Sequence, residues 1–243
     1  MDTQARIERW WDEDAATYDG APGHVAVSPA ERAAWAAALG RHLPPGGSVL
    51  DVGAGTGFLS LAAARLGYRV SALDLSARML DRLRASAARE GVEVALYQGA
   101  GDQPPEGPFD AVISRHLLWT LPDPGRALAA WRAAAPVGRL ALFESMWGRA
   151  DRAETVRQRL RHSVDRLRRV PRAHHSDYDP EVLAQLPYGD GIGPGALVEL
   201  VEAGGWGPAR LERLRDVEWA RLLARPPLDR VLGVTPTFVV SAG

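Results

Sequence analysis

Val49-Leu50-Asp51-Val52-Gly53-Ala54-Gly55-Thr56-Gly57, followed at once by Phe58, reads as a strand that runs into a glycine turn and from there into a helix. Glycines at such a turn let the backbone reverse sharply. They also let a ligand lie against main-chain N–H groups at the helix start, where no side chain intrudes. The spacing narrows the choice of ligand. A dinucleotide site has the pattern GxGxxG, whose third glycine allows close helix–strand packing beside a pyrophosphate, and that position is Phe58 here. No Gly-Lys-Ser/Thr follows the turn, which excludes a phosphate-cradling P-loop. What remains is GxGxG with an acid, Asp51, two residues ahead.

Outward from this turn the chain alternates. Strands are expected at Ser48 to Val52, Arg69 to Asp74, Val92 to Gln98, Asp110 to Ser114 and Arg139 to Glu144, and helices at Phe58 to Leu66, Ala77 to Glu90 and Gly125 to Ala135. Such alternation implies an α/β fold with a doubly wound, mostly parallel sheet and helices on both faces. Asp74 closes the second strand about twenty residues beyond the glycines, where this topology presents a carboxylate to ribose hydroxyls. Two roles are open to it: ribose binding, or capping the helix that starts at Ser76 or Ala77, for which Ser76 also qualifies.

Before the alternation, Ile7, Trp10, Trp11 and Ala15 recur at helical spacing from Thr3 to about Tyr18, and Ser28 with Pro29 opens a helix that runs to His42. After it, Arg149 to Val170 reads as a basic helix with an apolar stripe at Val156, Leu160, Val164, Leu167 and Val170. A His-, Tyr-, Pro- and Gly-rich loop from His174 to Pro194 follows, then a helix at Gly195 to Ala203, a strand near Ala209 to Glu218 and a last strand at Thr237 to Ser241. No internal repeat or low-complexity linker interrupts the chain, so one domain is expected over residues 1–243. Its parts are a helical lid at 1–45, a ligand-binding core at 46–146, a cap insertion at 147–194 and closing elements at 195–243.

All 29 basic residues are arginine and cysteine is absent, which excludes Schiff-base lysine chemistry, disulfides, thiolate nucleophiles and cysteine-based zinc sites. The charged N-terminus and the lack of a membrane-length apolar run lead to the expectation of a soluble cytoplasmic protein. A net charge of −1 argues against bulk nucleic-acid binding.

The chain from about Arg9 to Glu144 resembles the class I S-adenosylmethionine-dependent methyltransferases, specifically the ubiquinone/menaquinone-type small-molecule branch. The resemblance is carried by Trp11-Asp12, Tyr18-Asp19, Asp51 to Gly57, Asp74-Leu75-Ser76 with Met79, Phe109-Asp110-Ala111-Val112, and Ser114-Arg115-His116 followed by Leu121-Pro122-Asp123-Pro124. It implies a Rossmann-like sheet of seven strands, the last antiparallel, and S-adenosyl-L-methionine as cofactor. The methionine half would lie on Asp51, Gly53, Ala54 and Gly55, the ribose on Asp74, and the adenine beside Leu75 and Met79. Tyr18 would belong to the lid, and the backbone at Arg115 would help place the methionine moiety. The adenine loop departs from the family, because Gly99-Ala100-Gly101-Asp102-Gln103 has alanine where an acid is expected. Ala100 and Gly101 then hold the base by backbone and apolar contact, or Asp102 substitutes from a shifted position.

An activated methyl group asks the protein mainly to align an acceptor and exclude water. His116 is the candidate base for a hydroxyl acceptor; its other role would be packing under the cofactor. Trp119, His174, His175 and Tyr178 are candidate acceptor contacts, with Trp119 equally suited to the core. No metal site is expected, since adjacent histidines point apart on an extended chain and match no zinc spacing. The arginines of 149–170 are either a solvated helix face or a lure for an anionic acceptor. The implied partners are a small-molecule acceptor of specialised metabolism and a second copy of the chain, rather than a membrane or nucleic acid. A cofactor-binding scaffold, or an enzyme acting on a peptide or RNA, is the competing reading.

Overall fold

The computed structural model describes residues 3–21, 23–146, 152–167 and 174–243. Its centre is a seven-stranded sheet of β1 (Ser48–Val52), β2 (Arg69–Asp74), β3 (Val94–Gln98), β4 (Ala111–Arg115), β5 (Arg139–Ser145), β6 (Arg210–Arg213) and β7 (Thr237–Ala242). The order is β3-β2-β1-β4-β5-β7-β6; β7 pairs antiparallel with both β5 and β6, and the other pairings are parallel. The order reverses between β1 and β4, which opens a crevice beyond their carboxyl ends.

Strand residues alternate between two cores, as the pleat requires. Val49, Ala111, Ile113, Ala141 and Phe143 face one side, where they meet Trp35 and Leu39 of α2 (Pro29–His42) and Leu59 of α3 (Phe58–Arg65). Leu50, Val52, Val112, Leu140 and Leu142 face the other and meet Leu128 and Trp131 of α5 (Pro124–Ala134) and Leu197 of α8 (Pro194–Val201). The cap expected at Ser28 is present, accepting from Glu31 N at 3.1 Å, and α5 is capped by Asp123, which accepts from Arg126 N at 2.9 Å.

Three expectations are corrected. The N-terminal helix, α1 (Thr3–Asp14), stops short of Tyr18, because Asp14 is drawn into a buried set of hydrogen bonds at its end. The strand near Ala209 to Glu218 keeps only Arg210–Arg213; from Arg215 the chain is α9 (Arg215–Ala224), which packs on α2. The basic helix is α6 (Arg152–Leu167), and residues 149–151 and 168–170 of the expected span lie outside the described ones. Of its expected stripe Val156 and Leu160 are exposed, while Arg161, with 5% exposure, is buried. The footing of α6 is polar, with Gln158 donating to Met146 O and Arg161 to Leu232 O, each at 2.9 Å. Among the described residues, no helix is long and apolar enough to cross a membrane.

The glycine turn carries different constraints at each position. Gly57 has φ +99°, and a Cβ there would sit 2.2 Å from Leu83 Cδ1, whereas at Gly55, φ +54°, a Cβ would meet open space. Gly57→Ala is therefore expected to lose about 2–4 kcal/mol and Gly55→Ala about 1–2 kcal/mol in urea unfolding, because only the first adds overpacking to left-handed strain.

Candidate cofactor and active site

The turn after β1 is set by β2. Gly53 N and Ala54 N both donate to Leu73 O, at 2.8 and 3.1 Å, and Asp74, the next residue, receives Gly55 N on Oδ2 at 2.8 Å. Its Oδ1 accepts from Ser76 N at 2.8 Å. Ser76, not Asp74, is the cap of α4 (Ala77–Glu90), its hydroxyl accepting from Met79 N at 3.1 Å. Asp74 thus joins the glycine turn to the start of α4. Burial pushes its carboxyl up to about 6 against the lowering effect of these two amides.

A cavity of about 450 Å³ opens at this point. Gly53, Gly55 and Gly101 line its base, Asp74, Leu75, Met79 and Ala100 one flank, Arg115 and His116 the other, and Tyr18 belongs to its cover. Ten residues expected at the site therefore meet in one space. Asp51 and Ala54 do not line it: both are buried, Asp51 pointing toward the α3 side of the sheet, where Ser60 Oγ donates to it at 2.6 Å. Burial pushes the Asp51 carboxyl up to about 7, so its role is to brace the turn from behind.

The wall also holds residues that motif reading did not assign to it. Asp102 is in the lining, with Oδ2 at 3.1 Å from Arg126 Nε, and so is Asp123. Asp102 was legible as the shifted acid of the adenine loop; Arg126 and Asp123 had no signal beyond a helix start. Ile7 and Trp11 of α1 complete the cover.

Arg115 and His116 close β4. The Arg115 guanidinium lies 3.8 Å from the centre of the Phe58 ring and donates to Gly23 O at 2.6 Å, while its buried Nε has no hydrogen-bond partner among the described residues. Burial lowers it to about 10. His116 has φ +57°, outside the strand conformation, and its Nε2 lies 3.2 Å from Ser145 Oγ. Burial and the nearby Arg115 charge hold the imidazole well below its ordinary pKa, so it is neutral at pH 7.

The cover is fastened at both ends. Asp12 Oδ1 accepts from Ser76 Oγ at 2.5 Å, tying α1 to the start of α4. Asp14, with no exposed surface, accepts from His175 N at 2.7 Å and contacts His174 Nδ1 at 2.8 Å and His175 Nδ1 at 3.0 Å. Burial alone would raise this carboxyl, but the histidine contacts outweigh it and hold it below its ordinary value. His174 and His175, expected at the acceptor, are placed outside the cavity lining and join their loop to the end of α1. Tyr178 and Trp119 also lie outside that lining; their rings pack 5.4 Å apart, and both pack against Trp11 at 6.4 Å.

Comparison with known proteins agrees with this geometry. Residues 49–138 match the family described as a methyltransferase domain. The chain is 40% identical over 136 residues to the ubiquinone biosynthesis O-methyltransferase of Xanthomonas campestris, covering 54% of this chain and 52% of that protein. It is 35% identical over 122 residues to the ribosomal protein L11 methyltransferase of Thermus thermophilus, covering 50% and 46%. The chain thus spans about half the length of these curated relatives. Among solved structures it is similar to phosphoethanolamine N-methyltransferase 2 of Haemonchus contortus, in complex with phosphomonomethylethanolamine and S-adenosylhomocysteine. That likeness has a TM-score of 0.63 at 16% identity and covers all of this chain and 60% of the other. The matched segment begins at Val49 and ends before α6, so it includes neither α1 nor residues 147–194.

Asp14→Asn removes the charge that holds the cap loop to α1. Hydrogen exchange should then quicken at least about tenfold in residues 3–14 and 174–179, the equivalent of about 1.4 kcal/mol, while the amides of β1 and β4 stay protected.

Proposed function

We propose that the protein is an S-adenosylmethionine-dependent methyltransferase that methylates a hydroxyl of a small-molecule acceptor. The observation that carries this reading is the placement of the Asp74 carboxylate at the glycine turn, on one cavity with Arg115 and His116. The residues fit the cofactor. Gly55 leaves open a space that a Cβ would fill, Arg115 carries a buried Nε suited to a carboxylate, and Asp102 offers an acceptor to an adenine amino group.

When bound, this cofactor supplies a methyl group already activated by a cationic sulfonium sulfur. The protein then has three tasks. Asp74, Leu75 and Met79 hold the nucleoside, and Gly53, Gly55 and Arg115 hold the amino-acid end. Ile7, Trp11 and Tyr18 exclude water that would compete with the acceptor. His116, neutral and at the cavity wall, takes the proton of the acceptor hydroxyl as its oxygen attacks. Trp119 and Tyr178, beside Trp11, form an apolar wall for the acceptor at the lid–cap junction. We read the chain as one domain in which residues 1–45 are the lid and 147–194 the cap, and the arginine-rich α6 favours an anionic acceptor.

An O-methyl product is favoured by the 40% identity to an O-methyltransferase. A peptide acceptor is the second reading, favoured by the match to the ribosomal protein L11 methyltransferase.

Calorimetric titration with S-adenosylhomocysteine tests the cofactor reading. Asp74→Ala should weaken binding about 10- to 100-fold, the worth of a hydrogen bond to a charged group, and Gly55→Ala should fold but bind poorly. Absence of binding by the intact protein would overturn the reading. Affinity should rise as pH climbs through about 6, because the raised Asp74 carboxyl is ionised only above that value, and Asp74→Asn should flatten this dependence.

A further inference from the structure

The mechanism above uses His116 but leaves open which ring nitrogen takes the proton, and β5 supplies the answer. In the parallel β4–β5 register Arg115 lies opposite Phe143, so the chain beyond Arg115 runs alongside the last residues of β5. There His116 departs from strand conformation at φ +57°, its N–H donating to Phe143 O at 3.3 Å. A left-handed histidine is strained, and such strain is kept where the surroundings over-determine it. Here the turn brings the imidazole next to the end of β5, with Nε2 at 3.2 Å from the hydroxyl of Ser145, the last residue of that strand. Ser145 is itself fixed opposite Thr237 of β7, so the hydroxyl is set by two strands and not by a loop. Nδ1 has no hydrogen-bond partner among the described residues, and the residue lines the cofactor cavity.

We propose that Ser145 is a positioning residue for His116: its Oγ accepts the Nε2–H, which fixes the neutral Nε2–H tautomer and leaves the Nδ1 lone pair as the proton acceptor at the cavity. The proposal rests on the methyltransferase reading for its purpose, though not for its geometry. In the step it serves, the acceptor oxygen forms a bond to the methyl carbon while the sulfur–carbon bond breaks and its electron pair returns to sulfur. The hydroxyl proton passes to Nδ1, and the resulting imidazolium keeps its Nε2–H on Ser145. A hydroxyl suits this place because it accepts from Nε2–H without a charge; a carboxylate would raise the imidazole pKa and hold it protonated. Glu144 follows Phe143 on the same strand and is buried. Burial pushes its carboxyl up to about 8, so near neutrality it adds little charge to the ring's surroundings.

The test is long-range proton–nitrogen NMR of the full-length protein labelled with nitrogen-15 histidine, in which the tautomer is read directly from the two ring nitrogens. His116 is assigned by the signal lost in His116→Gln. The expected result is an Nε2–H imidazole that stays neutral through pH 6. Ser145→Ala should shift at least about half of the population to Nδ1–H, because Nε2–H loses its buried acceptor, and Ser145→Thr should restore the native pattern. An Nδ1–H tautomer in the native protein, or an unchanged tautomer in Ser145→Ala, would overturn the proposal. S-adenosylhomocysteine titration of the same samples separates the two readings: native-like affinity in Ser145→Ala shows that the variant is folded, while no binding even by the native protein would sink the methyltransferase reading and leave the tautomer result standing.

Discussion

The carboxylate of Asp74 is the constraint on which the rest of the site depends. It takes one amide from the glycine turn and one from the start of α4, so two loops that leave neighbouring strands are held at a fixed separation. Both amides would otherwise be unpaired donors at helix starts, which is where backbone N–H groups lack partners. The glycines make this closure sterically open, and the carboxylate makes it specific. The carboxylate that holds the crevice in shape is also part of its lining, so the shape of the crevice and its charge are set by one group.

Around that crevice the protein buries more charge than a stability argument favours. Arg115 lies on Phe58, and Glu31 of α2 pairs with Arg221 of α9 at 2.7 Å. Arg221 also donates to Thr237 Oγ1 at 3.0 Å. Buried ion pairs recover at best a modest surplus over their desolvation, so their value here is positional. Glu31 receives Val27 N and Arg115 donates to Gly23 O, so both anchor the segment between α1 and α2. The helix α1 is held again at Asp12 and Asp14. Ile7 of α1 also packs with Val182 and Leu186.

Strand and helix positions in the core were legible because each segment had to satisfy local demands that the sequence displays: alternation for the pleat, a serine or aspartate at a helix start, a glycine at a left-handed turn. Expectation and structure differ where a tertiary partner replaces a local rule. The apolar stripe of α6 is a local pattern, yet Gln158 and Arg161 of that helix are held by main-chain carbonyls at Met146 and Leu232, which no spacing in the sequence announces. The strand expected through Glu218 yields to α9 because Val217 and Ala220 are needed against α2 and the sheet.

The sequence by itself determined the sheet, its switch point, the glycine turn and Asp74, since these depend on short-range spacing and on backbone geometry that few residues satisfy. Only the tertiary structure decided what lies around the ligand space. It set Asp51 behind the turn, because strand alternation sends that side chain to the α3 face. It brought His174 and His175 to the buried Asp14, some 160 residues away along the chain. It aimed His116 at Ser145, because two parallel strands end side by side. Contacts between residues so far apart along the chain carry no periodicity and no local signature, and they exist only once the sheet has brought their elements together.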